Sequence, residues 1–133
     1  MIDIERAVFS AVVEEFLKKY PNGSYYGEDV EFPASFPCMT LVEADNYTYD
    51  RTLDAEMREH HAHLVYLANI YSNLVDGAKQ QCKDILSIID ETMQNLGFTR
   101  KYCRQTRNQD ERISRMTAQY KGVVSEDFRI YRR

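Results

Sequence analysis

"HAHLVYLANIYS", residues 61–72, decides how the chain reads. Its side chains alternate: Ala62, Leu64, Tyr66, Ala68 and Ile70 form one set, and His61, His63, Val65, Leu67, Asn69 and Tyr71 the other. A period of two is the mark of a strand whose successive side chains point to opposite faces. Twelve residues make it long for a strand, which predicts a central place in a sheet. Both sets turn apolar after residue 64. One face is therefore expected to meet helices, and the other a partner or a second layer.

Working outward, Asp76-Gly77 opens the clearest helical pattern, 77–96. Its apolar stripe is Cys82, Ile85, Leu86, Ile88, Ile89, Met93 and Leu96, and Gly97 sits where a left-handed glycine ends a helix. A second amphipathic helix spans residues 3–19, with Ile4, Ala7, Val8, Ala11, Val12 and Phe16 inward. Asp3 is placed to cap it, and Pro21-Asn22-Gly23 stops it. The glycine- and proline-rich stretch that follows reads as a loop ending in a short strand.

Met39–Glu43 then reads as a strand, and the polar "TLDAEMREHH" as a long hairpin loop or a ragged strand pair. Beyond the second helix, Phe98–Arg104 alternates, "QTRNQDER" turns, Ile113–Val123 is a long strand, and "FRIYRR" closes the chain as a short one. The order α-β-β-β-α-β-β-β predicts an α+β fold: a mostly antiparallel, mixed sheet covered on one face by two helices. At 133 residues the whole chain, 1–133, reads as a single domain.

Composition narrows the function. No apolar run reaches the roughly 20 residues of a membrane span, so no membrane partner is expected. Charges at Asp3, Glu5 and Arg6 argue against a signal or transit peptide, and the expectation is assembly in a cytoplasm. Cys38, Cys82 and Cys103 are odd in number and show no CxxC spacing, which argues against a disulfide framework or zinc knuckle.

The net charge of −4 conceals an asymmetry. Residues 100–133 hold ten Lys and Arg against four acids, while residues 1–99 hold seven against 17. Such a division suits nucleic acid or complementary surfaces between identical subunits. The cations are spread through strand-like sequence, which favours the second.

The histidines invite a metal reading. His60 and His61 are adjacent, so on a strand only His61 and His63 share a face, and a third ligand would have to come from a neighbouring strand. No HExxH helix, GxSxG elbow, Walker loop or dinucleotide loop occurs. The acids Glu43, Asp45, Asp50 and Asp54 lack a partnering lysine and read as a solvated loop. No cofactor or catalytic residue is expected. Arg100, Lys101, Arg104, Arg107, Arg112 and Arg115, with Tyr102 among them, could line a nucleic-acid-facing hairpin. Arg100, Tyr102 and Arg104 share one face by alternation, so a phosphate-facing row would be theirs.

The opening helix, "FPCMTLVEADNYTYDRTLD", "AHLVYLANIYSN", "GAKQQCKDILSIIDETMQNLGFTR" and "RISRMTAQYKGVVSEDFRIYRR" together cover nearly the whole chain. In content and order they resemble the tail terminator (tail-completion) proteins of long-tailed bacteriophages, with related head–tail joining and neck proteins close by. The resemblance implies a structural virion protein at the top of the tail, without catalysis. It would form a homo-oligomeric ring, usually a hexamer, that caps the tail tube protein and docks a head-closure or connector protein. DNA would pass through its lumen unread. Residues assigned to subunit or tube contacts and the lumen, from charge and pattern alone, are Arg51, Arg58, His61, His63, Arg100, Arg104, Arg107, Arg115 and Arg132. The rival readings are another neck or minor capsid protein, a small metal-dependent nuclease using His61 and His63, and a nucleic-acid-binding module.

Overall fold

The computed structural model describes residues 1–30, 33–48, 61–108, 110–125 and 130–131. Helix α1 (Glu5–Lys19) is followed by strands β1 (Ser24–Tyr26), β2 (Cys38–Thr48) and β3 (His61–Ser72), then helix α2 (Ala78–Leu96) and strands β4 (Thr99–Thr106), β5 (Ser114–Ser125) and β6 (Ile130–Tyr131). The α+β class, the two helices and their order are as the periodicity indicates. The short strand falls at the start of the Gly/Pro-rich loop, not at its end. It runs parallel to β2, which is what makes the sheet mixed. β2 continues five residues past the expected end at Glu43, and residues 52–60 of the stretch expected to form a hairpin loop or ragged strand pair lie outside the described residues.

The strands lie in the order β1-β2-β3-β5-β4, with β3 in the middle, as its length suggests. β6 pairs with Val123 and Val124 of β5, so it continues the β4 edge end to end. Both helices cover one face. Met39, Leu41, Leu64, Tyr66, Ala68, Ile70, Met116, Ala118 and Tyr120 pack there against Val8, Val12 and Phe16 of α1 and Cys82, Ile85, Ile89 and Met93 of α2. The α1 stripe is turned slightly from expectation: Val13 is buried and Ala7 exposed. Asp3 Oδ1 accepts the Glu5 amide at 3.1 Å, an unsatisfied donor of the first turn.

α2 ends in a Schellman arrangement: Phe98 N–H donates to Met93 O at 2.9 Å and Gly97 N–H to Gln94 O at 3.0 Å, with Gly97 at φ 105°. The turn delivers Phe98 into the core, edge-on to Tyr66 with ring centroids 5.3 Å apart. Gly122 makes room for it. A Cβ there would lie 2.6 Å from the Phe98 ring.

One row crosses four strands at a single level: Glu43, Tyr66, Tyr120 and Arg100. The two buried tyrosines send their hydroxyls in opposite directions, Tyr66 to Glu43 Oε1 and Tyr120 to Asp90 Oδ1, both at 3.1 Å. Burial, then the neighbouring carboxylate, holds each phenol far above its ordinary pKa. Each outer strand carries a bulge beside this row, at Ala44 in β2 and Lys101 in β4.

Candidate functional site

The face away from the helices, called the open face below, carries the second residue set of β3. It is mixed: Val42, Val65, Leu67, Tyr71 and Val123 lie on it beside a polar cluster at its centre. Asn69 is 4% exposed. Its Oδ1 accepts from Arg115 Nε at 3.0 Å and from Thr117 Oγ1 at 2.7 Å, and Thr117 lies 2.7 Å from Thr106 Oγ1. The Arg115 guanidinium also lies 5.3 Å from the centroid of the Tyr71 ring. The Thr40 hydroxyl, fully buried beside this cluster, has no hydrogen-bond partner among the described residues.

Nearer the start of β3, His63 stacks on Tyr47 with centroids 4.8 Å apart and planes 16° from parallel. They border a cleft of about 170 Å³ that Lys101, Lys121, Thr99 and Val123 also line. Neither lysine forms an ion pair with a described residue, so two cations share one small polar hollow beside an aromatic pair.

The anticipated row of Arg100, Tyr102 and Arg104 does not exist. The bulge at Lys101 puts Arg100 opposite Tyr120 and Tyr102 opposite Gln119, which are neighbours on β5 and therefore face opposite ways. Arg100 turns to the helix side and donates to Asp90 Oδ1 at 3.3 Å. Tyr102 and Arg104 remain on the open face, the Arg104 guanidinium 4.1 Å above the Tyr102 ring. Arg107 is exposed and pairs loosely with Glu111 at 3.6 Å.

His61 and His63 do share the open face. Arg115, anticipated as a contact residue, donates its Nε to Asn69 and lies over the Tyr71 ring. Arg51, Arg58 and Arg132 lie outside the described residues. Among the described residues no three His, Cys, Asp or Glu side chains gather in a group that could hold a metal.

The acids at 43 and 45 belong to a strand and not to a solvated loop. Glu43 accepts the Tyr66 hydroxyl, and Asn46 Nδ2 donates to Ile2 O at 2.7 Å. Burial raises the Glu43 pKa, and the nearby charges of Glu5 and Asp3 raise it further against the Tyr66 donor. These roles escaped the sequence because each depends on a partner more than 20 residues away.

Neither a protein-family model nor a curated protein matches this chain.

The sheet has unlike sides. Its β4 border carries Arg100, Lys101 and Arg104, and its β2 border Glu43 and Asp45, with Asp3 and Glu5 beside Glu43. No helix of the described residues is long and apolar enough to cross a membrane.

Proposed function

We propose that this protein is a structural virion subunit: a ring-forming tail terminator that caps the tail tube and joins the tail to the DNA-filled head. The reading rests on the sequence resemblance over nearly the whole chain. The observation that carries it furthest is the opposite charge of the two sheet borders. A subunit with two different, complementary borders is built for head-to-tail contacts, and such contacts close into rings when the rotation between copies allows. The partners are then further copies of the chain, the tube protein and a head-side connector, with DNA in the lumen.

The test is electron microscopy of uncapped tail tubes with and without the purified protein. Tubes of bounded length that end in a ring are expected. Tubes that keep growing and carry no ring in the presence of excess protein overturn the reading. Monomeric protein in isolation does not, because a tube can template the ring.

A second reading draws on the cleft at Lys101 and Lys121: contact with a nucleic-acid backbone. It predicts duplex or single-strand binding that weakens log-linearly with salt and is lost in a K101E/K121E variant. Absence of binding at low salt removes it.

A further inference from the structure

Both borders of the sheet offer backbone hydrogen-bonding groups. β1 covers only Cys38–Thr40 of β2, so Leu41–Thr48 has no strand on its outer side among the described residues. Among the described residues β4 pairs with β5 alone, so Thr99–Thr106 has no described strand on its outer side. Unpaired edges of this length recruit strands. β2 and β4 run in opposite directions across the sheet, so two copies side by side in one orientation bring them together antiparallel, as in the rest of the sheet.

We propose that copies of this chain join edge to edge, β4 of one along β2 of the next, with Arg104 opposite Asp45 and Tyr102 opposite Tyr47. The contact rests on the ring reading and gives that ring its subunit interface.

Two constraints, with the longest overlap they allow, select this register. At level alignment, with Arg100 in line with the Glu43–Tyr66 row, the end of β4 from Arg104 to Thr106 collides with β1, which borders Thr40, Met39 and Cys38 at those same levels. β4 must therefore slide at least three levels along β2. Side chains keep to their own faces only for an even slide. Four levels is the smallest that satisfies both. It sets Thr106 opposite Val42, Arg104 opposite Asp45, and Tyr102 opposite Tyr47, all on the open face.

The chemistry of the opposed residues agrees. Arg104 and Asp45 are exposed and of opposite charge, and Tyr47 is 45% exposed. Opposite charges and aromatic pairs directly across antiparallel strands are favourable, and like charges there are not. The bulge at Lys101 lies at the far end of β4 and leaves Tyr102–Thr106 a regular run, while the bulge at Ala44 of β2 falls inside the contact, where the ladder passes over Ala44 as the pairing with β3 does.

The test is a charge swap read by two measurements, oligomer mass in solution and capping of tail tubes. R104D or D45R alone should weaken assembly about tenfold or more, and the double variant D45R/R104D should recover most of it. A control reversal in the hollow between the two helices, E91K, should assemble as wild type. Circular dichroism and urea midpoints verify that each variant is folded. The contact is overturned if folded R104D and D45R assemble as wild type, or if the folded double variant recovers nothing. If wild type forms oligomers sensitive to these swaps but never caps tubes, the tail-terminator reading falls and the edge contact stands. If it caps tubes and the swaps change nothing, the reverse holds.

Discussion

Arg115 Nε donates to Asn69 Oδ1 at 3.0 Å, binding the cation of β5 to the amide at the centre of β3. The same oxygen accepts from Thr117, so one buried acceptor gathers two donors, while Tyr71 flanks the guanidinium. Asn69→Leu should cost about 1–3 kcal/mol in urea unfolding, because it leaves the half-buried Arg115 donor without its acceptor and forces Thr117 to turn to Thr106. Arg115→Ala should cost less, about 1 kcal/mol, because Thr117 still serves Asn69. Equal losses would show that the amide is not the hub.

Thr40 gives the opposite sign. Its buried hydroxyl has no partner among the described residues, and Thr→Val keeps the shape while removing the polar atom. Thr40→Val is expected to leave stability unchanged or raise it by up to about 2 kcal/mol. A loss of stability would reveal a hydrogen bond to that hydroxyl.

Glu43 links stability to pH. Its folded pKa lies above the ordinary carboxylate value because it is partly buried, with acids nearby. Folding therefore favours its protonated form. The favourable contribution is full below about pH 4.3 and is lost as pH rises through the folded value. Glu43→Gln keeps an acceptor for Tyr66 and removes the charge. It should match or exceed wild type in thermal stability at pH 7, with the advantage closing below about pH 4. Glu43→Ala should lose about 1–3 kcal/mol at all pH values, since the Tyr66 hydroxyl is left unpaired.

Gly122 is required by packing. Gly122→Ala sets a methyl 2.6 Å from the Phe98 ring, and displacing that ring disturbs its edge-on contact with Tyr66. The expected cost is about 1–3 kcal/mol. A Phe98→Leu change should cost less in the Gly122→Ala background than alone, and a double-mutant cycle measures that coupling.

The strands and helices with a strong period were legible. β3 matches its expected bounds, and α2 is as expected but for Gly77, which lies left-handed just outside it. In both, core contacts enforce the periodicity that the sequence displays. β1 was not legible because three residues show no period, and its parallel partner lies beyond a long loop. The far half of β2 was hidden because Glu43 and Asn46, polar in sequence, face the helix side to serve Tyr66 and Ile2. Of the candidate contact residues, His63 and Arg104 stand on the open face as the alternation implies. Arg100 does not, because one extra residue is invisible to a count of twos. Arg115 sits on the expected face with its charge already engaged, which no spacing rule reveals.

The two bulges also govern where the chain can change length. Ala44 and Lys101 are the residues that the pairing ladder skips. A deletion at either restores a regular strand and leaves every other side chain pointing as before. A deletion within the regular run Met39–Leu41 of β2 turns the residues on one side of it to the opposite face and takes Met39 or Leu41 out of the core. Insertions and deletions among descendants of this sequence should therefore gather at these two positions, where the borders can gain or lose curvature without any rewriting of the interior.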